Sequence, residues 1–220
     1  MQPAGKVALC EKLGIGGIVK MNAFDGSKRE VVAVGVRNSV GQDFNPKDRT
    51  PWFTDNQTDG LGDDVPPGEL NRVTRTGQHF GYPYWNGKFK VAGAPAAPDL
   101  KDMKEPASAV FPQVDFPAPQ AQLGMIFYDG KMFPAKYQGG IFVAAHGSWN
   151  RTTPSGALIN FVSLKPDGTA DKSEVFAEGW LDPATNTYRG RPVDVAVMKD
   201  GSLLVSDDFA GAIYRISYQP

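Results

Sequence analysis

The chain has 220 residues, enough for one large domain or two small ones to bury a sizeable core. A formal net charge of −1, with no basic stripe, argues against a nucleic-acid partner. The 25 Gly and 18 Pro residues, spread among short apolar runs, predict many tight turns and therefore a β-rich fold.

The cysteine content and the first residues set limits on compartment and anchoring. Cys10 is the only cysteine, which excludes an intramolecular disulfide and a multi-thiolate metal site. No apolar run approaches the roughly 20 residues that a membrane-spanning helix needs. The N-terminal residues lack the long apolar stretch of a signal peptide. We therefore expect neither a membrane span nor a signal peptide in this chain.

The first predicted element is a β-hairpin. Residues 17–22 lead into the turn Asp25-Gly26, and residues 30–34 follow. An Asp-Gly pair between two short alternating runs is a strong hairpin signal.

This pattern recurs in the second half of the chain. Residues 156–162 precede the turn Asp167-Gly168, and residues 174–179 follow it. In each copy the hairpin continues into a segment with one arginine, and these arginines are Arg37 and Arg191.

Each copy then has a further strand, a turn and another strand. These are residues 43–46 and 52–56 in the first copy and residues 195–208 in the second. Residues 211–217 resemble the opening strand again, and residues 123–145 add one more strand-turn-strand set.

Self-similar sets of four short strands predict an all-β fold of the β-propeller type, with three to four blades' worth of strands. The alternative is a β-sandwich with chance similarity between the repeats. We expect residues 1–220 to form a single, partial propeller domain. A long irregular excursion is expected at about residues 60–122, which are rich in Pro, Gly and Ala, and residues 92–119 should be a surface loop.

An acidic loop follows the predicted strand that ends near Asp55. Residues 55–64, followed by Glu69, carry five carboxylates in addition to Asn and Gln side chains. Oxygen ligands in a Gly-rich loop favour calcium, although the spacing is not that of an EF-hand. The alternative is a set of solvated loop acids.

Two arginines occupy matching places in the two repeats. Equivalent positions in propeller blades face one central axis, so Arg37, with Asn38 beside it, and Arg191 should approach the same ligand. Arginine binds planar anions through paired hydrogen bonds, which suits a multi-carboxylate or phosphorylated ligand. Ordinary ion pairs between blades are the alternative.

Both histidines lie in aromatic-rich segments. His146, Trp149 and Arg151 directly follow an apolar strand, where His146 could act as a base near neutral pH; the alternative is a structural hydrogen bond. His79 opens a run of aromatics through Trp85, which is more typical of a packed loop than of a wall for sugar stacking.

Six motifs, taken in order, resemble the sorbosone-dehydrogenase-like branch of the PQQ-dependent sugar (glucose/sorbosone, aldose) dehydrogenases. The resemblance runs from about Gly17 to Tyr218. The motifs are G-V-R-N-S-V-G at 35–41, W-F-T-D-N at 52–56, L-G-D-D-V-P-P-G-E-L-N at 61–71, H-F-G-Y-P-Y at 79–84, H-G-S-W-N-R at 146–151 and G-R-P-V-D-V at 190–195.

The resemblance implies a six-bladed propeller that binds PQQ and calcium at one end of its central channel. It implies that PQQ accepts hydride from an aldose sugar or a related alcohol or aldehyde, while a base takes the hydroxyl proton. The residues expected to contact PQQ are Arg37, Asn38, Asn56, Arg151 and Arg191. The carbonyls of Gln57 and Thr58 are expected near calcium, with Asp63, Asp64 and Glu69 as further candidate oxygen ligands, and His146 is the candidate base.

The resemblance also bears on partners and location. It implies a periplasmic or secreted enzyme with a cytochrome or another electron acceptor. This chain carries fewer than six blades' worth of strands, so we expect weak or no turnover from it alone. Two other functions stay open: a calcium-dependent propeller lactonase or related hydrolase, and a non-catalytic propeller that binds carbohydrate or protein.

Overall fold

The computed structural model describes residues 14–91 and 105–219. Cys10 and the N-terminal segment considered for a signal peptide lie outside the described residues. Within them the regular structure is almost entirely strand, with one 3-10 turn at Ala135–Tyr137. No helix in these two stretches has the length and apolar character needed to cross a membrane.

Eighteen strands are present in the described residues. In chain order they are β1 Gly17–Lys20, β2 Glu30–Val34, β3 Gln42–Phe44, β4 Pro51–Asp55, β5 Gly68–Arg72, β6 Gln78–His79, β7 Trp85–Asn86, β8 Phe89–Lys90, β9 Val114–Phe116, β10 Gln122–Phe127, β11 Ile141–Ala145, β12 Leu158–Leu164, β13 Ala170–Ala177, β14 Leu181–Asp182, β15 Thr187–Tyr188, β16 Pro192–Val197, β17 Leu203–Asp207 and β18 Ala212–Ile216.

Fourteen of these strands form four sheets that follow one another along the chain. The first sheet has the order β1-β2-β6, the second β3-β4-β5-β9, the third β10-β11-β12-β13 and the fourth β16-β17-β18. Neighbouring strands are antiparallel except β2 and β6, which are parallel. The two remaining pairs, β7-β8 and β14-β15, are short hairpins in the connections.

The predicted Asp-Gly hairpins are present. In the β12–β13 hairpin, Gly168 donates its N–H to the Lys165 carbonyl at 2.9 Å and has a φ of 79°. In the β1–β2 hairpin, Gly26 has a φ of 69°. Both backbones lie in the left-handed region that glycine adopts without steric cost, which explains why Asp-Gly ends each first strand.

Three separate hydrophobic cores join consecutive sheets. Phe53 of the second sheet packs with Val32 and Phe80 against the first sheet. Trp52, on the opposite face of the same strand, packs with Phe127 of the third sheet. The third and fourth sheets share a core that includes Tyr128, Phe142, Ile159, Leu203 and Val205. Hydrophobic cores between consecutive sheets are the packing expected of propeller blades.

The repeat predicted from the sequence corresponds to pairs of adjacent antiparallel strands. β1 and β2 match β12 and β13, which are the last two strands in the order of the third sheet. β3 and β4 match β16 and β17, the first and second strands of their sheets. The further copy of the opening strand, predicted at residues 211–217, is β18. It pairs with β17 as β5 pairs with β4, so it is the third strand of its sheet.

The expectation of an irregular excursion at residues 60–122 needs correction. This stretch contains β5 to β9, and both β5 and β9 belong to the second sheet. β5 is buried although it carries Glu69 and Asn71, so it lacks the apolar alternation that marks a strand. β9, at Val114–Phe116, lies inside the predicted surface loop at 92–119 and pairs with β5. Residues 92–104 lie outside the described residues.

Candidate functional site

The candidate residues lie at one end of the second, third and fourth sheets. In each sheet the first strand runs antiparallel to the second, so the loop before the first strand meets the loop after the second. In the second sheet, Arg37 and Asn38 precede the first strand, and Asn56 to Asp59 follow the second strand. In the third sheet the same places hold Gln120 and His146 to Trp149. In the fourth sheet they hold Arg191 and Asp208. The repeat thus places side chains from Arg37 to Asp208 at the same end of these sheets.

A pocket of about 150 Å³ lies between the second and third sheets at this end. Five predicted site residues line it together with two glutamines and an exposed tryptophan. The five are Arg37, Asn38, Asn56, Gln57 and Thr58, and the added side chains include Gln120, Gln122 and Trp149.

Arg37 is fixed at this pocket by its backbone and by its guanidinium group. Its N–H donates to Asp55 Oδ2 at 3.0 Å, and its Nη1 donates to the Asn56 carbonyl at 3.0 Å. Its Nη2 contacts Asp59 Oδ2 at 3.2 Å, in an ion pair that is partly open to solvent. Asn38 donates its N–H to the other oxygen of Asp55 at 2.6 Å.

Amide side chains in the pocket wall have buried atoms without hydrogen-bond partners. These atoms are Gln57 Oε1, Gln120 Oε1, and both Oε1 and Nε2 of Gln122. The three side chains are between 0% and 7% exposed. Buried polar groups are normally paired, so a cluster of unpaired amides in one pocket indicates that a polar ligand or ordered water satisfies them.

Arg191 occupies the matching place in the fourth sheet and reaches across to the third. Its Nε donates to the His146 carbonyl at 3.0 Å, and its Nη2 donates to the Gly147 carbonyl at 2.6 Å. His146 Nε2 lies 2.9 Å from Asp208 Oδ1, and this contact lowers the pKa of the Asp208 carboxyl. Arg191 and His146 therefore form a second cluster beside the pocket and do not line it.

Arg151 is engaged by the acidic loop. Its Nη1 donates to the carbonyls of Asp63 and Ala118, and its Nη2 lies 3.6 Å from Asp64 Oδ1. The Asp63 carboxylate accepts the Thr152 N–H at 3.0 Å; this backbone bond is the main reason that its pKa is lowered. Asp63 and Asp64 thus face an arginine.

Glu69 is buried in the second sheet, opposite Asp55. Its Oε1 accepts the Gly87 N–H at 2.5 Å, and its Oε2 accepts Asn71 Nδ2 at 2.8 Å. Burial, followed by the charge of Asp55, raises the pKa of Glu69 to about 8. Burial also raises the pKa of Asp55 to about 6.

The structure does not bring Asp63, Asp64 and Glu69 to one metal site. Across residues 14–91 and 105–219, no group of three or more His, Cys, Asp or Glu side chains is arranged to hold an ion. Of the five predicted metal ligands, Gln57 and Thr58 alone line the pocket.

The aromatic run that starts at His79 is packed, as the more favoured interpretation predicts. Phe80 is buried against Phe53, with ring centroids 4.9 Å apart. His79 Nδ1 accepts the Gly81 N–H at 2.9 Å, and burial lowers the pKa of His79.

Sequence reasoning did not single out Asp55 and Asp207 individually, nor Gln120 and Gln122. The aspartates end β4 and β17 in the matching pairs Thr-Asp and Ser-Asp, and this repeated pair was a readable signal. The glutamines carry no such signal because isolated glutamines are ordinary surface residues.

Two solved structures share the fold. The calcium structure of the Trichoderma reesei Carbohydrate-Active Enzymes Family AA12 is 22% identical, with a TM-score of 0.66, over 83% of this chain and 52% of that chain. The holo form of the pyranose dehydrogenase PQQ domain from Coprinopsis cinerea is 20% identical, with a TM-score of 0.65, over 94% and 62%. These similarities confirm the prediction of a partial propeller.

Sequence comparison identifies the family. An uncharacterized protein of Borreliella burgdorferi (strain ATCC 35210 / DSM 4680 / CIP 102532 / B31) is 41% identical over 199 residues, which are 87% of this chain and 50% of that protein. The chain therefore spans about half the length of this curated relative. The sequence model of the TrAA12-like family matches residues 19–219. This chain belongs to the TrAA12-like family.

Proposed function

We propose that this chain carries part of the cofactor site of a PQQ-dependent oxidoreductase, which oxidises an aldose sugar or a related alcohol or aldehyde with the help of calcium. The observation that carries the proposal is the pocket beside Arg37, whose wall holds buried amide atoms without partners. Similarity to a pyranose dehydrogenase PQQ domain supports the choice of cofactor.

The pocket residues fit an anionic, polar group. PQQ has three carboxylates, and Arg37 adds a positive charge to a wall that also includes Asn38 and Asn56. The unpaired atoms of Gln57 and Gln122 can donate to and accept from polar substituents. Arg191 and Arg151 lie in loops at the same end of the sheets, and we assign them to further anionic groups of the ligand.

Fewer residues are suited to bind calcium than the sequence predicts. Backbone carbonyls are good calcium ligands, so Gln57 and Thr58 at the pocket remain candidates. Asp63, Asp64 and Glu69 are unsuited because Arg151, Thr152 and buried hydrogen-bond donors already engage them. In this proposal calcium would be held by carbonyls and by the cofactor itself.

His146 is the proposed base. When bound, PQQ would supply a quinone that takes up hydride, and calcium would polarise that quinone as a Lewis acid. The Asp208 carboxylate can accept one ring N–H of His146, at 2.9 Å, which leaves the other ring nitrogen free to accept a hydroxyl proton. Asp208 would stabilise the resulting imidazolium, as a carboxylate beside a histidine base does.

An oxidised sugar leaves two electrons on the cofactor, so an electron acceptor is required. A cytochrome is one acceptor of the right chemistry, and a periplasmic or secreted location would suit such a partner. Since the chain spans about half the length of its curated relative, we expect weak or no turnover from it alone.

Titration of the purified chain with PQQ, with and without calcium, tests the proposal. We expect the chain to bind PQQ in a one-to-one ratio when calcium is present. The absorbance of the bound PQQ measures this uptake. Arg37→Gln should weaken uptake at least about tenfold, because a charge-assisted bond to a carboxylate is lost. Arg215→Gln is the matched control, since Arg215 is half-exposed and binds Asp200 away from the pocket.

The alternatives predict different results. Absence of uptake by the folded chain would overturn the proposal. Lactone hydrolysis without PQQ uptake would indicate the hydrolase, and sugar binding without PQQ uptake or dye reduction would indicate a non-catalytic binding module.

A further inference from the structure

Two buried aspartates end the second strands of the second and fourth sheets. Asp55 is 0% exposed and Asp207 is 4% exposed. Asp55 accepts the backbone N–H of Arg37 at 3.0 Å, and Asp207 accepts that of Arg191 at 2.9 Å. Each carboxylate also accepts a second loop N–H, at 2.6 Å in one case and 2.8 Å in the other. The two sites therefore share the bond to the arginine backbone, although Asp55 accepts through both of its oxygens and Asp207 accepts both N–H groups through Oδ1.

The third sheet lacks both members of this pair. Its second strand ends at Ala145, and the loop before its first strand carries Gln120 where the other two sheets carry an arginine. There the loops are joined through the backbone: His146 N–H donates to the Ala121 carbonyl at 2.9 Å, and Gly147 N–H donates to the Gln120 carbonyl at 2.8 Å. Among these three sheets, the buried aspartate is present where the arginine is present.

The aspartates bind the arginine backbones and leave the guanidinium groups to other partners. The guanidinium of Arg191 donates to the carbonyls of His146 and Gly147, and that of Arg37 donates to the carbonyl of Asn56. Neutral carbonyls fix the direction of a guanidinium without compensating its positive charge. Arg191 is thus held in place while its charge remains available for an anion, whereas Arg37 also pairs with Asp59 at 3.2 Å, in a contact that is partly open to solvent.

We propose that Asp55 and Asp207 are positioning residues that fix Arg37 and Arg191 so that both guanidinium groups meet one anionic ligand. The identity of that ligand as PQQ rests on the proposed function; the fixing of the arginines does not. Asp→Ala removes the acceptor of both loop N–H groups at either site, whereas Asn could keep both bonds at position 207, where Oδ1 alone accepts them.

The first experiment follows the arginine itself, without cofactor. Exchange of the Nε–H of Arg191, measured by NMR, should accelerate at least about tenfold in Asp207→Ala, because the loop that holds it is released. Asp55→Ala should leave this rate unchanged, and so should Asp167→Ala in the β12–β13 turn. An unchanged rate in Asp207→Ala would overturn the proposal.

The second experiment is a double-mutant cycle with PQQ and calcium as the ligands. Asp207→Ala should weaken PQQ binding about tenfold in the wild-type background. It should have no further effect in Arg191→Gln, because a positioning residue acts only through the group it positions. Equal losses in both backgrounds would indicate a general structural role and overturn the proposal. Asp55→Ala and Arg37→Gln form the matched cycle.

These measurements separate the two proposals. If the wild-type chain takes up no PQQ, the proposed function fails while the exchange experiment still decides the role of Asp207. If the Asp207 variant does not fold, the exchange rate of Arg191 Nε–H in the wild-type chain is used as the test. Arg191 Nε–H should then exchange at least about tenfold more slowly than that of Arg189, whose side chain is 70% exposed. Equal rates would overturn the proposal.

Discussion

Glu69→Gln replaces a buried carboxyl group by an uncharged amide of the same shape. The Glu69 side chain is 1% exposed and binds Gly87 and Asn71. Gln can keep the bond from the Gly87 N–H, and Asn71, whose Oδ1 has no partner, can turn its amide to accept from the new N–H₂. We therefore expect the variant to fold with the same hydrogen bonds.

The sign of the effect follows from the raised pKa. Between pH 4.5 and about 8 the folded state keeps the proton on Glu69 while the unfolded state has lost it, so stability falls as pH rises. One pKa unit corresponds to about 1.4 kcal/mol, so the wild type should lose roughly 3 to 4 kcal/mol from this group between pH 5 and pH 8. Glu69→Gln removes this loss.

The assay is urea unfolding at pH 5, 6, 7 and 8, in EDTA so that no cation contributes. Glu69→Gln should match the wild type near pH 5 and exceed its free energy of unfolding at pH 8. Glu174→Gln, at a half-exposed ion pair with Lys136, is the control and should follow the wild type. Parallel pH profiles for Glu69→Gln and the wild type would refute the reasoning. In a parallel series with calcium in place of EDTA, a calcium ligand at Glu69 would instead make the variant lose calcium-dependent stabilisation.

Three other substitutions test the packing and the site. Tyr128→Phe should cost about 2 to 3 kcal/mol in urea unfolding, because the buried hydroxyl accepts two backbone N–H groups and donates to the Gly201 carbonyl. Gly190→Ala should lower the thermal midpoint sharply, since the new Cβ would lie 2.1 Å from Asp207 Oδ2. Trp149→Ala should change the free energy of unfolding by less than about 0.5 kcal/mol, because its side chain is 72% exposed.

The fold could be predicted where local signals repeat. The Asp-Gly turns and the alternating runs identify β1, β2, β12 and β13, and the matching arginines identify their common place in the sheets. β5 could not be predicted in this way, because its buried Glu69 and Asn71 satisfy each other inside the sheet. A polar strand of this kind is recognisable only once its partners are known.

The candidate site was predicted unevenly for a related reason. Repeat position singled out Arg37, and the family resemblance added Asn56 and Gln57; all three line one pocket. The acidic loop was predicted as a calcium site from its charge alone. Charge does not indicate whether a carboxylate faces a metal ion or a protein hydrogen-bond donor such as arginine. The Asp63 carboxylate accepts the Thr152 N–H and the Asp64 carboxylate pairs with Arg151, which lies 88 residues after Asp63 in the chain, so these contacts depend on the tertiary fold.

The three cores that join consecutive sheets have a consequence for how the molecule opens. Among the residues that the structure describes, no core is shared by sheets that are distant in sequence, so each sheet depends on its immediate neighbours. Local unfolding should therefore proceed sheet by sheet, with slowest amide exchange in β11, whose residues contribute to two cores and are all buried. The loop that carries His146 follows β11 directly, so this loop of the candidate site is anchored in the strand that we expect to be the most protected.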